Sequence, residues 1–282
     1  MRSLNYDSSK PLLYLVATPI GNMQEVSPRT IEVLSNVDLI ACEDTRVSGK
    51  LLSLLGLKKE LVSLREHNEV SESQLIVEKI LNGTKVAYMS DAGYPCISDP
   101  GAKLVQICLE NGINVAPISG PNAALNALVA SGLCEDHFYF HGFLNTKETI
   151  KLEELRELSQ RKETLIFYEA PHRIEKTLCS MYEILGDRKA CIARELTKKH
   201  EEFIRGGLKY LSELDPETIK GEIVIVIEGN KNEPKATIEN NDLITMVKTM
   251  VESGMSTKDA IKKVSDLTKV NKNVIYKLYH LN

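Results

Sequence analysis

The sequence predicts two α/β domains followed by a small helical extension. Three observations carry this: short apolar runs recur along residues 12–227, amphipathic stretches with helix-start signals separate the early ones, and the strand pattern stops after Gly229.

The apolar runs are Leu12–Ala17, Leu39–Cys42, Val86–Met89 and Val115–Ile118, then Phe138–Phe140, Thr164–Tyr168, Ala190–Ala193 and Ile223–Ile227. Each reads as a strand. Ser27-Pro28 supplies an N-cap and a proline at the first helical position, and Asp99-Pro100 repeats that signal. Strand alternating with helix makes the first sheet largely parallel. Ile118-Ser119-Gly120-Pro121-Asn122 closes a strand and opens a helix over Ala123–Ala130, with Gly132 as its terminator. The domain boundary falls here, giving 11–121 and 122–229, preceded by a flexible terminus over residues 1–10. Asn230-Lys231-Asn232-Glu233-Pro234 reads as a linker into a helical tail over 235–282. There Ser256 caps a helix with Asp259 at its third position, Ala260, Ile261, Val264 and Leu267 share one face, and Asn271 caps a second helix. The pair is similar to a helix-turn-helix, and serves either as a packing appendage or as an RNA-contacting module.

At 282 residues, 43% hydrophobic and 26% charged, the chain can bury a sizeable core. Its first ten residues are polar, and no uncharged apolar run approaches the roughly 20 residues of a membrane span, so a cytoplasmic protein is expected. Six cysteines without a Cys-x-x-Cys pair argue against a zinc cluster and a disulfide framework. Net charge is −4, yet residues 231–282 hold nine lysines against six acids. An anionic partner is therefore expected to meet the tail or a local basic cleft.

No GxGxxG turn follows the first strand and no GxxxxGK[ST] loop occurs, which excludes the usual dinucleotide and P-loop sites. The turn Ala17-Thr18-Pro19-Ile20-Gly21-Asn22 still stands at a strand end, where open α/β sheets bind ligands. More unusual is Ser90-Asp91-Ala92-Gly93-Tyr94-Pro95-Cys96-Ile97-Ser98-Asp99-Pro100-Gly101. Asp91 can accept from hydroxyls or amines, Gly93 admits a special backbone conformation, and exposed amides beyond it suit an adenine or a carboxylate. The charged string Arg65-Glu66-His67-Asn68-Glu69, ahead of a helix over Ser71–Leu81, reads either as a solvated loop or as a lining of an RNA entrance.

Leu15–Asn22, Ala41-Cys42-Glu43-Asp44-Thr45-Arg46, the Ser90–Gly101 loop, Phe167-Tyr168-Glu169-Ala170-Pro171-His172-Arg173 and Ala193-Arg194-Glu195-Leu196-Thr197-Lys198 together resemble the ribosomal RNA small subunit methyltransferase I family of the tetrapyrrole-methylase superfamily. Tyr94 and Cys96 stand where smaller or aliphatic residues are familiar. The resemblance implies two α/β domains with S-adenosyl-L-methionine in the cleft between them, commonly as a homodimer, and no metal. It places the cofactor against Pro19 and Gly21, against Ser90, Asp91, Ala92, Gly93 and Tyr94, and near Ser119 and Gly120. Phe167, Tyr168, Ala193, Ile223 and Val224 come from the second domain. The implied reaction is methyl transfer to the ribose 2′-hydroxyl of a cytidine in the decoding region of 16S rRNA, within the 30S subunit or its precursor. His172 or Glu169 is the expected base, Arg173 and Arg194 the expected phosphate or acceptor ligands, and Glu43, Asp44, Arg46 and Lys198 face the RNA. The alternatives are a precursor-corrin or porphyrin C-methyltransferase, against which the Glu43–Arg46 and Phe167–Arg173 motifs speak, and a non-catalytic ribosome-binding factor.

Overall fold

The structure, a computed structural model, describes residues 10–134, 136–231, 240–268 and 270–281 of the chain. The flexible terminus expected over residues 1–10 falls almost wholly outside them, as do residues 232–239 of the expected linker and tail start, and Lys269. The chain forms two compact units, Met1–Asn230 and Lys231–Asn282.

The first unit runs β1 (Leu12–Val16), α1 (Pro28–Asn36), β2 (Leu39–Cys42), α2 (Thr45–Leu54), β3 (Glu60–Ser63), α3 (Glu69–Leu81), β4 (Val86–Met89), α4 (Ala102–Glu110) and β5 (Asn114–Ile118). It continues with α5 (Ala123–Ser131), β6 (Phe138–Phe143), α6 (Glu148–Leu158), β7 (Thr164–Glu169), α7 (Ile174–Leu185), β8 (Lys189–Arg194), β9 (Glu202–Gly207), α8 (Leu208–Ser212) and β10 (Ile223–Ile227). The first sheet has the order β3-β2-β4-β1-β5 and is parallel throughout. The second has the order β6-β7-β10-β8-β9, parallel only between β6 and β7. Central strands β2, β4 and β10 are buried at every position, as expected where helices or loops cover both faces.

Two strands escape the sequence reading, β3 and β9, and both are sheet edges. Their sequences, Glu-Leu-Val-Ser and Glu-Phe-Ile-Arg-Gly-Gly, carry the charges and glycines tolerated where one flank lacks a neighbour. Helix α1 starts as expected: the Ser27 hydroxyl accepts from the Thr30 amide at 3.0 Å, a cap worth about 1 kcal/mol. Asp99-Pro100 does not start a helix. Instead α4 begins after Gly101, and the Gly101 and Lys103 amides donate to Glu69 Oε1 at 2.8 and 2.9 Å. A carboxylate at the start of α3 therefore caps α4, and within the charged string around it the Arg65 amide donates to Asn68 Oδ1 at 2.7 Å.

Helix α5 follows the first sheet in sequence but packs on the second. Ala124, Ala127 and Leu128 meet Ile166, Cys191, Ala193, Val224 and Val226, with Ile20 and Leu196 at the margin. The helix ends at Gly132, in the left-handed conformation at φ 81°. On the other face of the second sheet, Leu165, Phe167, Ile192 and Ile225 pack with Ile174, Leu178 and Met181 of α7.

The second unit is a three-helix cluster: α9 (Asn240–Glu252), α10 (Thr257–Thr268) and α11 (Lys272–Leu281). It buries Leu243, Val247, Ala260, Ile261, Val264 and Ile275. Ser256 and Asp259 form the expected cap, with the Asp259 amide donating to Ser256 Oγ at 3.2 Å, and Asn271 Oδ1 accepts from the Asn273 amide. Leu267 does not share the buried face; it is 61% exposed, because Val270 in the following turn packs against the core at that end. Helix α9 has no counterpart in the sequence reading. Among the described residues, no helix is long and apolar enough to cross a membrane.

Candidate active site

Strands β1 and β4 are parallel neighbours, so the turn after one and the loop after the other leave the sheet side by side. They are laced together. The Thr18 amide donates to Gly93 O at 2.9 Å, the Gly93 amide to Thr18 O at 3.1 Å, and the Thr18 hydroxyl to Ser90 O at 3.2 Å. Gly93 has φ 77°, the left-handed region expected for it. Its amide is thereby committed to Thr18. The Tyr94 hydroxyl accepts from the Gly120 amide at 3.1 Å, tying in the start of the α5 connection.

A cleft of about 390 Å³ opens beside these loops. Its first-sheet wall is Ile20, Ala92, Gly93, Tyr94, Ile97, Ser98 and Asp99, and Asn122 and Ala123 lie between the walls. The second-sheet wall is Phe143, Tyr168, Glu169, Ala170, Pro171, Leu196, Gly221, Glu222, Ile223 and Val224. The size suits a small-molecule site, for which roughly 300–1,000 Å³ is usual. A wider depression of about 840 Å³ lies among Asp136, His137, Glu157 and residues 160–163; it is lined by charged, water-facing side chains and shares no loop with the cleft.

Of the residues expected to hold a cofactor, Ala92, Gly93, Tyr94, Tyr168, Ile223 and Val224 line the cleft. Ser90 is buried behind it, its hydroxyl 3.2 Å from Gly93 O, and Asp91 Oδ1 accepts from the Asp44 amide at 3.2 Å. Pro19, Gly21, Ser119 and Gly120 are outside the lining. Phe167 and Ala193 are fully buried: β-strand alternation turns Phe167 toward α7 and away from α5, and Ala193 packs under α5.

The expected catalytic residues divide by what already occupies them. Glu169 is buried; its Oε1 accepts from the Ala170 amide at 2.8 Å and meets Arg173 Nε at 3.2 Å, and its Oε2 accepts from the Thr177 hydroxyl at 2.6 Å. Arg173 also donates to Leu144 O at 2.7 Å. This pair fastens the Pro171–Arg173 turn to the end of β6. Arg194 donates to Glu202 Oε2 at 2.5 Å, joining β8 to β9. His172 is exposed on the same turn as Pro171 and makes no hydrogen bond to a described residue.

The expected RNA-facing residues fall on two sides. Asp44 caps α2 and grips Arg46 through two side-chain bonds of 2.5 and 3.0 Å, which hold its carboxyl well below the usual range. Burial, reinforced by Asp99 and Asp91, pushes the Glu43 carboxyl up. Lys198 lies against Gly21, where a Cβ would come within 2.4 Å of Lys198 Cγ, and its ammonium donates to Glu195 and Glu222 at 2.9 and 3.0 Å. Burial works against the charge of Lys198, but the two carboxylates outweigh it and hold its pKa up.

Among the described residues, four other than glycine have positive φ: Cys96, Ser98, Glu195 and Thr197. All belong to the two loops that supply Ile97–Asp99 and Leu196 to the cleft. Thr197 is β-branched, which makes φ 67° costly, and such strain collects where a site dictates the backbone. Among the lining residues that sequence reasoning did not single out are Phe143, Leu196, Glu222 and Asp99. The first three carry no local signal, and Asp99 was read as a helix cap.

Residues 12–212 match the family profile described as Tetrapyrrole (Corrin/Porphyrin) Methylases. The chain is 44% identical to the "Ribosomal RNA small subunit methyltransferase I" of Bacillus subtilis (strain 168), over 99% of this chain and 97% of that protein. It is also 44% identical to the protein of the same name from Haemophilus influenzae, over 96% and 97%. Among solved structures, a cobalt precorrin-4 methyltransferase of cobalamin biosynthesis superposes with a TM-score of 0.58 at 17% identity, covering 78% of this chain and 95% of that one. At that identity the likeness concerns the fold.

Proposed function

Because the chain belongs to the tetrapyrrole (corrin/porphyrin) methylases and, within them, to the ribosomal RNA small subunit methyltransferase I family, we propose that it methylates the ribose 2′-hydroxyl of a cytidine in the decoding region of 16S ribosomal RNA. It is an S-adenosyl-L-methionine-dependent methyltransferase acting on small-subunit ribosomal RNA; the nucleoside and the atom are the proposal.

The observation that carries this reading is the cleft, where the loops of both sheets that bear the family motifs meet. Its chemistry fits the donor. Ile20, Tyr168, Leu196, Ile223 and Val224 offer an apolar wall to an adenosine, and Ala92, Gly93 and Tyr94 line the cleft beside it. Asp91 and Glu43 stand at the same end of the sheet, acidic groups that suit a sulfonium and an ammonium. When bound, the donor supplies a methyl group that is already electrophilic. The protein's own work is then to align an acceptor oxygen with that methyl, keep water out, and take a proton. The Glu169–Arg173 pair sets the Pro171 turn as one wall. Arg46, 86% exposed at its side chain, and His172 reach toward phosphates or ribose of the RNA.

The 30S subunit or its precursor is the proposed macromolecular partner, with the lysine-rich tail adding phosphate contacts. Pairing of two copies is supported by the exposed apolar side chains of α5, Leu125 at 45% and Val129 at 71%. Incubating the protein with methyl-labelled donor and small-subunit RNA, then digesting to nucleosides, tests the assignment. We expect label in 2′-O-methylcytidine; label on a base carbon or nitrogen would refute it.

A further inference from the structure

We propose that Asp99 is the proton acceptor of the methyl transfer, the group that takes the 2′-hydroxyl proton as the new bond forms. The inference rests on the reading above and deepens it at the same site.

Among the described residues, three carboxylates line the cleft: Asp99, Glu169 and Glu222. Glu169 has both oxygens committed to Ala170, Arg173 and Thr177, and Glu222 pairs with Lys198. A carboxylate held by a cation or by several donors is a poor base. Asp99 has no ion pair with a described residue. The groups that face it are the Ser90 hydroxyl, the carboxylates of Asp91 and Glu43, the Cys96 thiol, and the phenols of Tyr88 and Tyr168. None is a cation. Burial raises the basicity of Asp99, Ser90 opposes it, and Asp91 reinforces it.

The backbone explains why this carboxylate is spare. Asp-Pro-Gly before a helix ordinarily presents the aspartate as the cap, but Glu69 fills that place with its bonds to Gly101 and Lys103. Pro100 O, next to Asp99, is pinned by the Tyr88 hydroxyl at 2.7 Å and the Cys96 amide at 3.2 Å. Cys96 and Ser98 take φ 69° and 61° to make the bend. A strained, doubly anchored segment thus delivers to the cleft a carboxylate whose partner is the Ser90 hydroxyl and not a cation, the arrangement expected of a preorganised reacting group.

In the step proposed, the ribose oxygen bonds to the donor's methyl carbon as the carbon–sulfur bond breaks, and that bond's electron pair stays on sulfur, leaving neutral S-adenosylhomocysteine. The hydroxyl proton ends on Asp99, and solvent then removes it.

The test is Asp99→Asn, followed by single-turnover methyl transfer to small-subunit RNA across about pH 5 to 9, with donor affinity by calorimetry and melting temperature alongside. We expect the rate at saturating donor to fall by about 10²–10⁴ and the acid limb of the profile to vanish, while donor affinity stays within about threefold. A rate within about threefold of wild type overturns the proposal, as does a donor affinity at least about tenfold weaker with the saturated rate retained. If Asp99→Asn does not fold, Asp99→Glu carries the test: a rate at least about tenfold lower with its acid limb kept supports the role, and an unchanged rate overturns it. A wild-type protein that transfers no methyl to RNA would instead refute the underlying reading.

Discussion

Replacing Glu169 by alanine should destabilise the protein far more than a surface change would, because it removes the centre of a buried clamp. The side chain is 1% exposed and meets Arg173, whose side chain is 20% exposed. Removing one partner of a buried ion pair costs about 3–5 kcal/mol, and water reaching Arg173 favours the lower end. The Ala170 amide and Thr177 hydroxyl also lose their acceptor. We therefore expect about 3–4 kcal/mol, which for a unit of this size lowers the melting temperature by roughly 6–16 °C. Glu169→Gln retains an oxygen for Ala170 and an amide to which the Thr177 hydroxyl can turn, losing chiefly the charge opposite Arg173. It should cost about 1–2 kcal/mol. Thermal unfolding by circular dichroism, with methyl transfer measured well below the transition, checks both variants. A Glu169→Ala protein that melts within about 2 °C of wild type would refute the clamp. So would a Glu169→Gln protein that melts normally yet transfers methyl at least about a hundredfold more slowly, since that is the mark of acid–base work.

Gly221→Ala should weaken donor binding by about tenfold in a calorimetric titration: φ is +87°, costing about 1–2 kcal/mol, and the new Cβ would fall 2.1 Å from Glu195 Oε1 at the cleft wall. Unchanged affinity would mean that this wall does not touch the donor. The Glu195–Lys198–Glu222 group should give a pH-dependent stability. Lys198 held the Glu195 carboxyl below its ordinary 4.5, so that contribution is complete above about pH 4.5 and is lost as pH falls through the lowered value. The raised Lys198 value of the same pair keeps it charged up to and beyond its ordinary 10.5, so stability is lost only as pH rises past that. Urea unfolding at stepped pH should show the acid loss, flattened in Glu195→Gln; identical curves would remove the pair from the account. RNA affinity should fall steeply with salt, and Lys262→Glu with Lys263→Glu, both exposed on α10, should lower the log–log slope by about 1–2. A slope indifferent to both changes would free the tail of phosphate contact.

The strands that were legible are those whose burial is written in uninterrupted apolar residues, such as Ile223–Ile227, which sits third in its sheet. β3 and β9 were not, because charges and glycines interrupt their short apolar stretches, whereas the edges β5 and β6 carry the apolar runs Val115–Ile118 and Phe138–Phe140. The loop at Ser90–Gly101 stood out from its composition, but its lacing to Thr18 depends on which strands are neighbours, and that order is set by packing of the whole sheet. Cap assignment failed at Asp99 for a similar reason: a local signal was displaced by Glu69, which lies 32 residues before Gly101, whose amide it accepts from. Phe167 could have been excluded by alternation alone, since Ile166 and Tyr168 share the opposite face. The positive φ of Cys96, Ser98, Glu195 and Thr197 left no trace that a residue-by-residue reading can detect, because none is a glycine.

The most direct test of the account is a nucleotide-resolution map of ribose methylation in small-subunit RNA from cells with and without this protein. One cytidine in the decoding region should lose its 2′-O-methyl group in the deletion and regain it when the wild-type chain is restored. An unaltered ribose map, or a lost methyl on a base, would contradict it.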